Sequence, residues 1–136
     1  MGLPRELRLR HRADFARVAE EGKGRANGLV VLRFAPNTLS IPRSGFSVSK
    51  RVGTAVRRNR VKRLLREAVR NAPLKGGYDL VFIARLQSAE ANYRDIKSAV
   101  EDVLRRARLL ERGGTDDKAP RTANGGDGAE EVEEGL

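Results

Sequence analysis

Between Lys50 and Arg70 the sequence reads Lys-Arg-Val-Gly-Thr-Ala-Val-Arg-Arg-Asn-Arg-Val-Lys-Arg-Leu-Leu-Arg-Glu-Ala-Val-Arg. Nine of these 21 residues are basic, seven of them arginine, and Glu67 is the only acid. A guanidinium forms paired hydrogen bonds to phosphate and stacks on bases, whereas lysine acts as a point charge. Recognition of a polyanion is the chemistry this composition suits. The spacing adds a direction. Val61, Leu64, Leu65, Ala68 and Val69 fall at i, i+3, i+4, i+7 and i+8, the pattern of one buried helical face. Asn59, Lys62, Arg63, Arg66 and Arg70 then lie opposite, with Arg60 on a flank. Solvated helix faces normally interleave both signs of charge. Here Lys62 with Arg66, and Arg66 with Arg70, are like charges at i,i+4, which destabilise an isolated helix. A partner that neutralises the face is therefore expected.

The whole chain supports that expectation and removes other classes. It has 136 residues, 28 Lys+Arg and 18 Asp+Glu, for a formal charge of +10. Residues 1–110 carry 25 basic and 10 acidic side chains, while residues 111–136 carry 3 and 8. A cationic domain with an acidic appendage asks for nucleic acid first and an anionic membrane second. No cysteine is present, which excludes disulfides, thiol nucleophiles and Cys-ligated metals. His11 is the only histidine, so His-rich metal sites are excluded and a Ser-His-Asp triad would depend on that one residue. No apolar run is long enough to span a bilayer, and Met1-Gly2-Leu3-Pro4-Arg5 lacks the apolar region of a secretory signal. A cytoplasmic protein without a membrane partner is expected. Asp14, Asp79 and Asp95 are scattered, so no all-protein Mg²⁺ cage is predicted and any metal should be held mainly by RNA phosphates. No catalytic residue is assigned.

Further elements must position the basic helix. Ala13 to Glu21 places Phe15, Val18 and Ala19 on one helical face, with Gly22 as a stop. Leu29–Phe34 is β-branched and bounded by Gly28 and Pro36; Gly45–Ser49 alternates, with Phe46 and Val48 on one side. Turn residues between them suggest that these two strands form a hairpin or neighbouring pair. Another strand is possible near residues 22–28. Leu80–Ala84 is a continuous apolar run, as in a strand covered on both faces. Tyr93, Ile96, Val100, Val103, Leu104 and Ala107 recur at helical spacing behind Asn92, a candidate N-cap. Tyr78 and Tyr93 read as packing residues. Residues 111–136 are Gly-rich and acidic with no aromatic residue, and are expected to be a disordered tail on a single domain of residues 1–110.

Phe46-Ser47-Val48-Ser49-Lys50-Arg51-Val52-Gly53, followed by Ala55-Val56-Arg57-Arg58-Asn59-Arg60-Val61-Lys62-Arg63-Leu64-Leu65-Arg66-Glu67-Ala68, closely resembles the bacterial ribonuclease P protein component. Arg-Asn-Arg is a signature of that family. Arg12-Ala13-Asp14-Phe15, Gly77-Tyr78-Asp79-Leu80 and Ile83-Ala84-Arg85 extend the likeness over roughly residues 5–108. The resemblance implies an α+β fold, a small two-layer sandwich of αβββαβα order like the second domain of ribosomal protein S5. Its four-stranded sheet would be mostly antiparallel, with a left-handed βαβ crossover. It also implies a protein subunit of a ribonucleoprotein whose catalytic RNA removes the 5′ leader of precursor tRNA with Mg²⁺. The partners would be ribonuclease P RNA and precursor tRNA, and no homo-oligomer is required.

Carried over by position, Arg57, Arg58, Asn59, Arg60, Lys62, Arg63 and Arg66 match the surface facing the catalytic RNA. Phe15, Arg33, Ser47, Ser49, Lys50, Arg51 and Arg85 match a cleft for the single-stranded leader. The family often carries aromatic residues where this chain has Ala19 and Arg33, so Arg33 by guanidinium stacking, or Phe34, would replace one stacking surface. Phe15 itself fits core burial as well as stacking. The alternative functions are a stand-alone RNA-binding module of ribosomal type and, with less support, a protein-only nuclease.

Overall fold

The computed structural model describes residues 5–111. Its elements run α1 (Arg12–Glu21), β1 (Lys23–Ala26), β2 (Val30–Pro36), β3 (Arg43–Ser47), α2 (Ala55–Arg70), β4 (Tyr78–Ala84) and α3 (Tyr93–Ala107). This is the expected αβββαβα order, and β1 fills the strand position left open near residues 22–28. Alternation along β2 and β4 divides the interior in two. Val30, Leu32, Phe34, Leu80, Phe82 and Ala84 face α2 and α3, whose Val61, Leu65, Ile96, Val100, Val103 and Leu104 complete the larger core. Val31, Ala35, Val81 and Ile83 face the other way, under Val18 and Phe15 of α1 and Leu9. β4 is thus covered on both sides, as its unbroken apolar run requires. Tyr78 and Tyr93 pack against the larger core, Tyr78 edge-on to Phe34.

The sheet order is β1-β2-β4-β3, antiparallel except for the β3/β4 pair. The expected pairing of the second and third strands is therefore wrong. β4 lies between them, aligned antiparallel with β2 and parallel with β3. The reason is burial: β4, the most apolar strand, takes a central position and leaves the Arg- and Ser-containing β3 at the edge. A parallel neighbour then requires a crossover connection, which α2 supplies.

Local chemistry sets the ends of α2 and α3. The Thr54 hydroxyl caps α2 by accepting from the Arg57 amide. Asn92 and Asp95 form a reciprocal capping box on α3. β3 stops at Ser47, two residues earlier than its alternation suggests. Ser49 has left the sheet, and its hydroxyl accepts from the Arg51 amide in a short 3₁₀ turn over Lys50–Val52. Gly53 follows at φ 151°, a conformation that L side chains rarely adopt, and turns the chain into α2.

Candidate nucleic-acid interface

The buried stripe of α2 is Val61, Leu65, Ala68 and Val69, as its spacing predicts. The outward residues differ in what they touch. Arg57 lies 3.6 Å from Glu90, Arg70 lies 3.8 Å from Glu67, and Arg58 donates to the Gly53 carbonyl at 3.3 Å. Arg60 donates from Nη2 to the Ala91 carbonyl at 2.9 Å, tying α2 to the segment before α3. Among the described residues, Asn59, Lys62, Arg63 and Arg66 have no hydrogen-bond or ion-pair partner, and neither do the exposed Lys50 and Arg51 side chains. No acid occupies the first turn of α2, so the positive end of the helix dipole adds to Arg57 and Arg58 instead of being neutralised. The result is a cationic strip about 24 Å long, from 16 residues at ~1.5 Å each. It has the spacing and charge to lie along a phosphate backbone.

The second predicted surface lies on the opposite face of the sheet. Phe15 is half-buried against the smaller core, and its ring rests on Gly45 of β3. A Cβ at residue 45 would come within 2.4 Å of Phe15 Cζ, so only glycine admits the ring here. Strand register sets Gly45, Val81, Arg33 and Gly24 in one row across this face, and Ser47, Ile83, Val31 and Ala26 in the next. Ser47 is thus beside Phe15's row. Ser49 and Arg85 follow two residues beyond the Ser47–Ile83 pair, at the same end of the parallel strands. Lys50 and Arg51 continue from there toward the start of α2. Of the predicted cleft residues, Ser49, Lys50, Arg51 and Arg85 therefore lie at the C-terminal end of β3 and β4, from which the chain enters α2, while Phe15 and Arg33 lie further along the sheet.

Arg33 and Arg85 are held by backbone carbonyls. Arg33 Nη2 donates to the Ala19 carbonyl at 2.6 Å and to Gly22 at 3.3 Å, closing the C-terminal end of α1. Arg85 Nη1 donates to the Asn27 carbonyl at 3.2 Å. Phe34, the other candidate for a missing cleft aromatic, belongs to the larger core and faces away from Phe15.

Two polar hubs were not singled out by sequence reasoning. Asp79 is fully buried; Arg43 donates to its carboxylate from Nε at 2.9 Å and from Nη2 at 2.8 Å. Asn37 donates to it at 2.9 Å, and Arg17 closes a further ion pair. Burial pushes this carboxyl up, but hydrogen bonds from Arg43 and Asn37, with the charges of Arg43 and Arg17, outweigh it and hold it below the ordinary range. Asn27 is the other hub. Its Oδ1 accepts from the Leu29 and Val30 amides, and its Nδ2 donates to the Ala99 carbonyl and Asp102. The signal for it was available: Asn-Gly just ahead of an apolar run marks a turn in which the Asn side chain bonds backbone amides a few residues on.

These partners bear on metal chemistry. The Asp79 carboxylate is occupied by two guanidiniums and an amide, and Asp95 by its capping box. Among the described residues no three His, Asp or Glu side chains converge. The donor set of the described residues does not fit a protein-held Mg²⁺. No helix among the described residues is long and apolar enough to cross a membrane.

The family model described as Ribonuclease P matches residues 3–108. The chain belongs to the bacterial ribonuclease P protein component family. The ribonuclease P protein component of Caldanaerobacter subterraneus is 44% identical over 106 residues, covering 76% of this chain and 91% of that protein. That of Clostridium botulinum strain Loch Maree is 45% identical over 106 residues, covering 76% and 96%. Among solved structures, the Staphylococcus aureus RNase P protein matches at TM-score 0.71 and 32% identity, covering 77% of this chain and 98% of that one. The resemblance seen in the sequence and its fold are thereby shown. The matched residues end before the acidic segment, and the expectation of a disordered tail lies outside the described residues.

Proposed function

We propose that this chain is the protein subunit of a ribonuclease P. In this reading it associates with ribonuclease P RNA through the outward face of α2 and receives the 5′ leader of precursor tRNA along the Phe15–Ser47 cleft. The observation that carries it is the set Asn59, Lys62, Arg63 and Arg66, aligned on one helix face with no hydrogen-bond or ion-pair partner among the described residues. Such a face is stabilised when phosphates neutralise it, and the family supplies an RNA partner of that kind. The leader varies in sequence, so cations that follow the backbone and one aromatic platform suit it better than base-edge readout. The protein binds and orients; phosphodiester hydrolysis and the Mg²⁺ it needs belong to the RNA. That division agrees with carboxylates already committed to arginines and caps. The reading places the protein in the cytoplasm and requires no homo-oligomer.

Reconstitution tests it. Protein, ribonuclease P RNA, or both are incubated with precursor tRNA at low Mg²⁺, and 5′ cleavage is followed. Cleavage only, or far faster, with both components is expected. Cleavage by protein alone would refute the division of labour. Absence of stimulation would instead favour a stand-alone RNA-binding module.

A further inference from the structure

We infer that the acidic segment Asp127–Glu134 of this same chain docks on the outward face of α2 and competes there with RNA. The inference rests on the reading of that face as an RNA surface. Its first support is where the chain leaves the fold. Leu110 bridges to Leu74, and the Glu111 amide donates to the Pro73 carbonyl at 2.7 Å. Pro73 is three residues beyond the last residue of α2, so the appendage departs from the C-terminal end of the cationic strip.

Its second support is charge placement. Arg112, Lys118 and Arg121 all precede Thr122, whereas Asp127, Glu130, Glu131, Glu133 and Glu134 form a block without a base. The cations within reach, Lys62, Arg63 and Arg66, have no acidic partner among the described residues. Reach is the third support. The block begins 16 residues after Glu111 and ends 23 after it. Gly-rich linkers of those lengths have r.m.s. spans of ~20–29 Å. Arg66 and Lys62 lie only about 6 and 12 Å along the helix from the C-terminal end of α2, well inside that span. Tethering then holds the carboxylates at an effective concentration of about the millimolar range beside these cations, so weak carboxylate–guanidinium contacts become significant here.

The consequence is a threshold. An intramolecular competitor lowers the affinity of every ligand that needs this face by the same factor. Weakly held RNA then falls below binding, while a tightly held partner remains bound. Because the contacts are exposed ion pairs, the effect is present at low salt and disappears as salt rises.

The test uses the full chain and a variant carrying Asp127→Asn, Glu130→Gln, Glu131→Gln, Glu133→Gln and Glu134→Gln. Backbone amide spectra of the two proteins are compared at 50 and 300 mM salt, and binding is measured to ribonuclease P RNA and to an unrelated 20-base-pair RNA duplex. The expected result is amide shift differences at Lys62–Arg66 at 50 mM salt that vanish at 300 mM. Tighter duplex binding by the variant, about three- to tenfold at 50 mM salt, should accompany them. Superimposable spectra at 50 mM, or differences confined to another surface, would overturn the docking whatever the RNA affinities. Shifts at α2 with unchanged RNA binding would overturn the competition. Arg63→Glu with Arg66→Glu in the variant background separates the two readings: unchanged RNA binding there means that the face is not the RNA surface.

Discussion

The two sides of the sheet use arginine in opposite ways. On the α1 side, Arg17 and Arg43 hold the buried Asp79, and Arg33 closes α1 by binding its last carbonyls. Each is a guanidinium whose donors are directed into the protein. On the α2 side, Arg63 and Arg66 carry the same group with no partner at all among the described residues. Net charge does not separate these populations, although one builds the fold and the other is left without a partner among the described residues. The discriminating quantity is whether a buried acceptor lies within reach. That contrast predicts which substitutions unfold the protein and which leave it folded but unable to bind.

The largest effect should come from Asp79→Ala. It removes a buried carboxylate that joins Arg17, Arg43 and Asn37, and leaves Arg17 without its counter-ion and Arg43 with only Asp14 at 3.8 Å. Breaking such a pair costs about 3–5 kcal/mol, toward the lower end here because both arginines are partly exposed. Urea unfolding measures it. The pH dependence follows from the sign of the shift. A carboxyl held below its ordinary value contributes stability that is complete above the unfolded value of about 3.9 and is lost as pH falls through the lower folded value. Wild-type stability should therefore fall below about pH 4, and Asp79→Asn should flatten that part of the profile. An unchanged acid limb in Asp79→Asn would remove Asp79 from the account.

Arg63→Ala with Arg66→Ala should show the reverse pattern. Stability should stay within about 0.5 kcal/mol of wild type, since among the described residues these side chains have no hydrogen-bond or ion-pair partner and like-charge repulsion is relieved. Affinity for ribonuclease P RNA should drop by about 2–3 kcal/mol, and the slope of log affinity against log salt should shallow by about two. Loss of stability instead of affinity would abolish the contrast between the two sides.

Phe15→Ala probes the boundary between the regions, because its ring both packs on Gly45 and borders the Ser47 row. A stacking role predicts that precursor tRNA loses about 1–3 kcal/mol of affinity while mature tRNA is nearly unaffected. Equal losses for the two substrates would make Phe15 a core residue.

The difference between the sides also explains what could be read from sequence. The cationic strip was legible because helical periodicity assigns an outward face to Asn59, Lys62, Arg63 and Arg66 from local spacing alone. The order of elements was legible for the same reason. Strand neighbours were not: pairing β3 with β4 depends on contacts across α2, and local turn residues pointed to β2 instead. Asp79, Arg17 and Arg43 stayed hidden because they are 36 and 62 residues from their partners. Arg33 shows the same limit. Sequence presents Arg33 as a free guanidinium able to stack, yet the fold brings it within 2.6 Å of the Ala19 carbonyl.

Arg60 gives the finest division, since it shares a motif with Arg58 and a helix with Arg63. Its Nη2 reaches the Ala91 carbonyl at 2.9 Å and it is half-buried, whereas Arg63 is exposed. A charged hydrogen bond to a part-buried carbonyl contributes about 1–2 kcal/mol when its loss leaves the acceptor unpaired. Arg60→Ala should therefore destabilise the protein by about that amount, and Arg63→Ala by less than about 0.5 kcal/mol. The two variants are compared by urea midpoint at constant m-value, then by salt slope against ribonuclease P RNA. Arg60 retains Nε and Nη1 for phosphate, so its loss should also weaken RNA binding, but with a stability cost that Arg63 does not show. If Arg60→Ala leaves the midpoint unchanged, its bond to Ala91 contributes nothing, and Arg60 belongs with the unpartnered arginines of the strip.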